Sequence, residues 1–382
     1  MSYLDAAATT PVRREVLQAM WPYLTTTYGN PSSQHELGEA AARALEDARR
    51  VVADILGARP AEITFTSGGT EGANTAIKGI ALASPRGRHV IVSAVEHPAV
   101  LESARWLGRL GYEITELGVD PDGRVSPRDL EAALRPDTTL VSLQYANNEV
   151  GTIQPIAELA ALTRAHDVPF HTDAVQAAGW LDLDVGRLGV QALSLSGHKV
   201  GAPKGVGVLY VARRTPVEPL IHGGGQQRGL RSGTEDVAGA VALATALRLA
   251  RTADAAAVRT RRDAFLTRLE QALPGVRLTG HRHHRLPGHA SFVLPGLSGE
   301  SVLLDLERRG VICSSGSACA AGSDEASHVL TAMGIPSETA QTALRFTFEA
   351  DVTDEELERA ADELIAAVAG RLPVTSPAWN PR

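Results

Sequence analysis

Strand-like and helix-like segments alternate along the chain from about residue 45 to residue 245. The strand-like segments are short apolar runs, and several lead through a turn into a stretch with helical spacing. They comprise residues 62–66, 89–93, 140–145, 168–173, 192–196 and 207–211. Such alternation favours a mostly parallel sheet with helices on both faces, because parallel strands need a crossover that is usually a helix. We therefore predict an α/β fold for this part of the chain.

The sequence beyond residue 235 follows a different pattern. Residues 235–275 are rich in alanine, leucine and arginine with helical spacing, which predicts one long connecting helix. An α+β pattern then follows, with strands at 290–294 and 343–348 and helices at 301–309 and 353–369. A chain of 382 residues, 44% of them hydrophobic, can build more than one core. We predict a large domain over residues 15–250 and a smaller domain formed by residues 1–14 with 251–382.

Lysine occurs at only three positions, and one of them follows a predicted strand directly. Lys199 closes the run Ser-Gly-His-Lys at 196–199, and Asp173 ends the preceding predicted strand. A lysine amine can hold an aldehyde as a Schiff base, and a carboxylate can keep a pyridine nitrogen protonated. This pair therefore suits pyridoxal 5′-phosphate (PLP) as cofactor. The alternative is a surface turn with a solvated lysine.

A glycine turn lies between the first predicted strand and its helix. Residues 67–70 read Ser-Gly-Gly-Thr, and glycines let the backbone approach an anion at a helix N-terminus. A phosphate fits such a turn, and Ser196 with His198 are candidates to complete its site. The alternative is an ordinary strand-to-helix turn in which Thr70 caps the helix.

Two further polar residues follow predicted strands and suit contact with a pyridine ring. Gln176 lies three residues beyond Asp173 and can donate to the ring hydroxyl oxygen. The imidazole of His97 can stack on the ring or relay a proton. The alternatives are structural: Asp173 can cap the next helix, and His97 can be a turn histidine held by Pro98.

Cys319 lies in a run of small residues from 314 to 323, which predicts a mobile loop carrying a nucleophile. The alternative is an inert loop thiol. Cys313 ends an apolar run and is predicted as core. Arg345 lies in an apolar strand and needs an anion, which can be a substrate carboxylate or an internal salt-bridge partner. Asn148, within Asn-Asn-Glu at 147–149, can hold substrate or cofactor, or form a plain turn.

Composition disfavours several classes of partner. The formal net charge is −7 without a long basic run, which argues against nucleic acid or a membrane surface as the main partner. No apolar stretch approaches the roughly 20 residues that span a bilayer, and the N-terminus lacks the pattern of a signal peptide. Two cysteines cannot form a disulfide framework, so we expect a cytoplasmic setting. The histidines between 281 and 289 alternate with arginines and lack carboxylates, which favours a solvated loop over a metal site.

These motifs belong to an ordered series that runs over nearly the full chain. The series comprises residues 3–5, 8–11, 29–33, 65–71, 96–97, 147–151, 173–176, 196–199, 201–205, 222–229, 231–234, 314–319 and 345–346. In this order the chain resembles the cysteine desulfurases, which are fold-type I PLP enzymes similar to class-V aminotransferases. The resemblance implies a large domain with a mostly parallel seven-stranded sheet flanked by helices, and a smaller α+β domain.

The resemblance also implies a role for each candidate residue. Lys199 is expected to form the Schiff base, His97 to stack on the ring, and Asp173 and Gln176 to contact the ring. The phosphate is expected to be held by Gly69, Thr70, Ser196 and His198, with Thr234 supplied by the partner subunit. Asn148 is expected to contact the cofactor and to bind the substrate carboxylate together with Arg345. Cys319 is expected to take sulfur from L-cysteine as a persulfide, leaving L-alanine.

The family resemblance further implies a homodimer with its site at the subunit interface. The loop around Cys319 is similar to the subgroup that serves iron–sulfur assembly and tRNA thiolation, so sulfur-acceptor proteins are the expected partners. We expect no resident metal, with Cys319 as a candidate transient iron–sulfur ligand. The chain departs from the family pattern at 347–349, Thr-Phe-Glu, and at 324–327. Another PLP lyase or aminotransferase, or a non-catalytic sulfur-carrier scaffold, remains the alternative.

Overall fold

The computed structural model describes residues 1–83, 86–316 and 326–369. The strands of these residues are β1 (Ser2–Tyr3), β2 (Ile63–Thr66), β3 (His89–Ser93), β4 (Glu113–Leu117), β5 (Thr138–Ser142), β6 (Phe170–Asp173), β7 (Ala192–Ser196), β8 (Gly207–Val211), β9 (Arg277–Leu278), β10 (His289–Val293), β11 (Val311–Ile312) and β12 (Ala343–Thr347). The helices are α1 (Arg14–Thr25), α2 (Glu36–Leu56), α3 (Gly69–Ala83), α4 (Pro98–Gly108), α5 (Pro127–Ala133), α6 (Ile156–Ala165), α7 (Val185–Leu188), α8 (Val237–Ala250), α9 (Ala255–Ala272), α10 (Gly299–Arg308), α11 (His328–Ala332), α12 (Ser337–Ala340) and α13 (Asp354–Val368).

The central sheet has seven strands in the order β2-β8-β7-β6-β5-β3-β4. Strands β4, β3, β5, β6 and β7 pair in parallel, whereas β8 runs antiparallel to both of its neighbours. The predicted mostly parallel seven-stranded sheet is therefore confirmed. Strands β5 to β8 are buried along their whole length, as expected when helices cover both faces of a sheet.

Alternating side chains of the sheet feed two different cores. On one face, Val90, Val92 and Leu209 pack with α3 and α4. On the other face, residues such as Ile91 and Phe170 pack with α2, α6 and α8. This split follows from the two-residue period of a strand, which sends successive side chains to opposite faces.

A separate core forms around a three-stranded antiparallel sheet with the order β12-β10-β9. Helices α9, α10 and α13 pack on it, and Leu4 of the N-terminal segment joins the same core. Strand β1 pairs with β11 in parallel, and Thr347 donates its backbone N–H to the carbonyl of Leu4 at 2.8 Å. These contacts support the division into residues 15–250 and residues 1–14 with 251–382, which we keep as a proposal.

The prediction of one long helix over residues 235–275 is wrong. The structure has two helices, α8 and α9, which are separated after Ala250. The carboxylate of Asp254 accepts hydrogen bonds from the backbone N–H groups of Ala256 and Ala257 and so starts the second helix. A side chain that caps a new N-terminus competes with continuation of the previous helix. Within the described ranges, no helix is both long and apolar enough to cross a lipid bilayer.

Candidate active site

A pocket of about 470 Å³ opens at the carboxyl ends of the parallel strands. That edge is where ligands usually bind in open α/β sheets, and the volume suits a cofactor with its substrate. Ten of the predicted residues line it, namely Gly69, Thr70, His97, Asn148, Asp173, Gln176, Ser196, His198, Lys199 and Arg345. The exposed Thr234 does not line it, and Cys319 lies outside the described residues.

Lys199 lies in a short turn directly after β7 and is partly buried against the N-terminal segment. Its Nζ donates hydrogen bonds to the carbonyl oxygens of Ala7 and, at 2.7 Å, Ala8. Thr10 fixes the same segment, because its backbone N–H donates to the carbonyl of His198 at 2.9 Å. The amine therefore lines the pocket and is not a solvated surface lysine.

Asp173 ends β6 at the floor of the pocket. Its Oδ1 accepts the backbone N–H of Val175 at 2.9 Å, so the side chain closes a local turn and caps no helix. Burial raises the pKa of Asp173, while the nearby His97 and Lys199 act in the opposite direction. A buried carboxylate favours a cationic partner, and a protonated ring nitrogen is one.

His97 is the N-cap of α4, and its Nδ1 accepts the backbone N–H of Ala99 at 3.1 Å. This bond fixes the plane of the ring within the pocket. Burial lowers the pKa of His97, so the imidazole is neutral near pH 7. The two roles predicted for His97, a turn histidine and a residue that stacks on the cofactor ring, are therefore compatible, because capping the helix orients the imidazole. Gln176 donates from Nε2 to the carbonyl of Ala7 at 3.0 Å.

The glycine turn places the first residue of α3 at the pocket wall. A Cβ on Gly69 would lie 2.6 Å from Cγ2 of Val175, so only glycine fits at this close approach. The Nδ1 of His198 hydrogen-bonds to Oγ1 of Thr9 at 3.1 Å. Burial, with Lys199 and Lys204 nearby, lowers the pKa of His198 to about 4. The site thus offers a helix N-terminus, two hydroxyl side chains and a neutral imidazole, which are suitable donors for a phosphate.

Arg345 lies in β12 and is fully buried. Its Nη2 pairs with Oδ1 of Asp5 at 2.8 Å, so the internal salt bridge weighed from the sequence is present. Its Nη1 donates to the carbonyls of Asn148 at 2.8 Å and Gly316 at 2.9 Å. Its Nε has no hydrogen-bond partner among the described residues. The guanidinium also lines the pocket, and binding of the substrate carboxylate by its remaining donors stays a prediction.

Ser327 and His328 line the pocket and were not predicted as site residues, whereas Glu149 was weighed only as part of the segment 147–149. Oε2 of Glu149 accepts a hydrogen bond from Oγ of Ser327 at 2.5 Å, and His328 Nε2 bonds the carbonyl of Glu96 at 3.0 Å. Ser327 and His328 follow the undescribed segment 317–325, and Gly316 precedes it. Both ends of the segment that contains Cys319 are therefore held at one pocket. Glu96 and Glu149 belong to the family motifs at 96–97 and 147–151, and this was the signal in the sequence that these carboxylates lie near the site.

Glu96 is a buried carboxyl group beside the site. Its Oε1 accepts hydrogen bonds from Oγ of Ser93 at 2.6 Å and from the backbone N–H of Gln144 at 2.9 Å. Its Oε2 has no partner within the described part of the chain. Burial raises the pKa of Glu96 from 4.5 to about 8. The group is therefore a neutral acid at pH 7, and it braces the ends of β3 and β5.

The variant Glu96→Gln is expected to flatten the pH dependence of stability. Between pH 5 and pH 8 the folded protein holds the Glu96 proton, whereas the unfolded chain releases it. The free energy of unfolding contributed by this proton therefore falls with rising pH, by about 1 kcal/mol per pH unit. Thermal unfolding of both proteins over this range measures the difference. If the free energy of unfolding had the same pH dependence in the variant and the wild type, Glu96 would be ionised in the folded protein.

Comparison with known proteins agrees with this geometry. The sequence matches the aminotransferase class-V family over residues 2–360. A cysteine desulfurase IscS from Dictyoglomus turgidum is 48% identical over 366 residues, which cover 95% of this chain and 93% of that relative. The chain belongs to the cysteine desulfurase family. The desulfurase fold is also found in a solved NifS-like protein, with a TM-score of 0.90, 35% identity and coverage of 97% of this chain and 100% of that one.

A solved structure of SspA in complex with cysteine is also similar to this desulfurase family member. Its TM-score is 0.82 at 37% identity, and the match covers 92% of this chain and 99% of that chain. Membership in the class-V family implies PLP use. The pocket fits that cofactor in three respects: the buried carboxylate of Asp173, the close approach at Gly69 and the amine of Lys199. No group of three or more metal-ligating side chains converges within residues 1–83, 86–316 and 326–369.

Proposed function

We propose that this family member is a PLP-dependent cysteine desulfurase, which takes sulfur from L-cysteine, forms L-alanine and carries the sulfur on Cys319. The observation that carries the proposal is convergence at one pocket. Lys199, Asp173 and His97 line it, and both ends of the Cys319 segment are held beside it. A PLP enzyme without sulfur chemistry needs no nucleophilic thiol for its reaction.

The cofactor is proposed to lie between the strand ends and α3. Gly69, Thr70, Ser196 and His198 would hold its phosphate, and Asp173 and Gln176 would face its ring. His97 would lie against the ring face, with its plane fixed by the bond to Ala99. When bound, PLP supplies an electron sink that stabilises negative charge at the carbon next to the substrate amine.

The chain's own residues would supply binding and proton transfer. Asn148 and the remaining donor of Arg345 would bind the substrate carboxylate, which orients the Cα–H bond. The amine of Lys199 would take the Cα proton and later return a proton to the product. Asp173 would hold the ring nitrogen in its protonated form.

Cys319 would act on the substrate sulfur. Its thiolate Sγ would attack that sulfur, so an S–S bond forms as the Cβ–S bond breaks and the electron pair stays with the three-carbon fragment. The products are a persulfide on Cys319 and, after protonation of the carbon fragment, L-alanine. No external oxidant is needed, because the carbon gains the electrons that the sulfur loses.

A second copy of the chain is the proposed partner at the site. Thr234 is exposed and does not line the pocket of its own chain, which supports a role for the partner subunit's Thr234 at the phosphate. Leu17, Trp21 and Leu24 form an exposed apolar stripe along α1, and a stripe of this kind favours burial against another chain. Sedimentation analysis should therefore give twice the chain mass of 40.3 kDa.

The sulfur acceptor is proposed to be a protein, either an iron–sulfur scaffold or a tRNA-thiolating enzyme. The support is the sequence of the Cys319 loop and the similarity to IscS proteins. We propose the cytoplasm as the compartment, because the chain contains only two cysteines and needs a reduced thiol.

Product analysis tests the proposed reaction. Purified protein supplied with PLP and L-cysteine under a reductant should release alanine and sulfide in equal amounts. A keto acid as the main product would identify an aminotransferase or a lyase and would contradict the proposal. L-selenocysteine in parallel measures the preference between the two substrates.

A further inference from the structure

A second cavity of about 50 Å³ lies behind Lys199. Four residues line both this rear cavity and the main pocket, namely Ala7, Val175, Gln176 and Lys199. The partition is formed by hydrogen bonds from Lys199 and Gln176 to the carbonyl of Ala7. The amine of Lys199 therefore stands at the boundary between two spaces.

The rear cavity can hold water. One water needs about 10–15 Å³ of such volume, so about three waters fit, provided that the walls are polar. Polar side chains on the walls include Thr10, Arg13, Gln176, Thr347 and Glu349. A small space with several polar groups on its walls favours ordered water over an empty void.

Glu349 and Arg13 line the rear cavity and are both partly exposed to solvent. Nη2 of Arg13 lies 3.5 Å from Oε1 of Glu349, and their side chains are 32% and 23% exposed. Both groups therefore contact the rear cavity and bulk solvent. Burial raises the pKa of Glu349, the charge of Arg13 lowers it, and the charge of Asp351 raises it. Glu349 belongs to the stretch at which the chain departs from the family pattern.

Arg13 is fixed to the loop that carries Lys199. Its backbone N–H donates to the carbonyl of Gly201 at 3.0 Å. A Cβ on Gly201 would lie 2.7 Å from Cγ of Arg13, so the arginine stem packs directly on that glycine. The backbone and the aliphatic stem of Arg13 are thus held beside the lysine loop by contacts independent of the cofactor.

A lysine that takes a proton from its substrate carries it as an ammonium group, which can exchange that proton with solvent when water reaches the amine. Cofactor and substrate in the main pocket would restrict the access of water to Lys199 from that side. We propose that Glu349 exchanges protons between Lys199 and solvent through water in the rear cavity. The ammonium of Lys199 gives a proton to water, the carboxylate of Glu349 takes one from the water chain, and the protonated carboxyl group releases it to solvent.

The other groups that face the rear cavity do not provide this exchange. Arg13 holds its protons at all relevant pH values. His289 is fully buried, and burial with nearby Arg285 and Arg345 keeps its pKa well below the usual value. Asp351 acts on Glu349 by charge and does not line the cavity. Glu349 is the carboxylate in the described lining of this cavity.

A crystal structure of the purified full-length protein provides the first test. Ordered waters should link Nζ of Lys199 to the carboxylate of Glu349. A dry rear cavity, or waters that end before Lys199, would overturn the inference. The inference rests on Lys199 as the reacting amine, but this result leaves the proposed function itself untouched.

Isotope exchange provides the second test, with Arg13→Met as the matched control. In D₂O, the enzyme should exchange the Cα hydrogen of L-alanine, followed by NMR, because Lys199 protons equilibrate with solvent. Glu349→Gln should slow this exchange on the order of tenfold, and added formate should restore it. Arg13→Met keeps the carboxylate of Glu349, so this variant should exchange the hydrogen at the wild-type rate. Because Arg13 lowers the pKa of Glu349, the acidic limb of the variant's pH profile should move to higher pH.

The two variants separate a proton path from a structural brace. Equal slowing in Glu349→Gln and Arg13→Met would show that the ion pair only holds the two cores together, and would overturn the inference. Unchanged exchange in Glu349→Gln would overturn it too. Absence of Cα hydrogen exchange in the wild type would instead contradict the role of Lys199 as the amine that takes the Cα proton.

Discussion

Replacing Lys199 with alanine is expected to lower alanine formation from L-cysteine by about 10³-fold or more. The structure describes all three lysines, and among them only Lys199 lines the pocket. It would serve both as the amine that holds the cofactor and as the base that takes the Cα proton. Steady-state alanine production measures the loss. The visible absorbance of the protein with PLP should change in parallel.

The other two lysines provide matched controls for this variant. Lys78 bonds Oδ1 of Asn74 and lies over the ring of Trp106, and Lys204 is exposed, so neither reaches the pocket. Lys78→Ala and Lys204→Ala should keep near wild-type rates. Borohydride treatment of the protein with PLP should attach the cofactor to the peptide that contains Lys199. Attachment at another lysine, or none, would contradict the proposed function.

The sequence predicted the large sheet because its buried strands carry an unambiguous apolar pattern. The bounds of β3, β7 and β8 agree with the prediction at both ends. Strand β4 was overlooked, because three of the five residues in Glu113–Leu117 are polar, without regular alternation, and four of the five are at least partly exposed at the sheet edge. The break between α8 and α9 was overlooked as well, since a single cap at Asp254 interrupts an otherwise uniform helix-forming composition.

The candidate site was predictable to the extent that its residues lie at strand ends. Parallel strands bring their carboxyl ends to one edge, so Asp173 and Lys199 were expected to meet. The contacts between distant segments were not predictable. The carbonyl of Ala7 meets Lys199, 192 residues away, and Asp5 pairs with Arg345, 340 residues away. Such pairs depend on how the N-terminal segment crosses between the two cores, which no local pattern records.

The effect of Arg345 on catalysis follows from this long-range pairing. Because Asp5 and two carbonyls already occupy its Nη groups, a substrate carboxylate would bind to a guanidinium whose charge is partly compensated. Substrate affinity is therefore expected to be moderate, while the orientation of the arginine is fixed before the substrate arrives. One of those carbonyls belongs to Gly316, which directly precedes the Cys319 segment. Arg345 thus contacts both the pocket and the residue that precedes the segment of Cys319.

Replacing Cys319 with serine is expected to abolish persulfide formation and lower sulfide release from L-cysteine by about 10³-fold or more. A serine side chain has no sulfur atom with which to form the S–S bond of a persulfide, and its neutral hydroxyl is a weak nucleophile. The residues that would hold PLP are unchanged, so the visible absorbance of the variant should equal that of the wild type. Mass spectrometry after incubation with L-cysteine measures the added sulfur directly.

The second cysteine of the chain supplies the control that makes this result specific. Cys313 packs against the smaller core, and burial raises the pKa of its thiol far above the usual range, so it stays protonated and unreactive. Cys313→Ser should therefore retain persulfide formation, subject only to a loss of stability from the buried hydroxyl. If Cys319→Ser still released sulfide at the wild-type rate, the sulfur would leave the substrate without a protein thiol. The family member would then be a PLP lyase, and the two ends of the loop at Arg345 and Glu149 would have only a structural role.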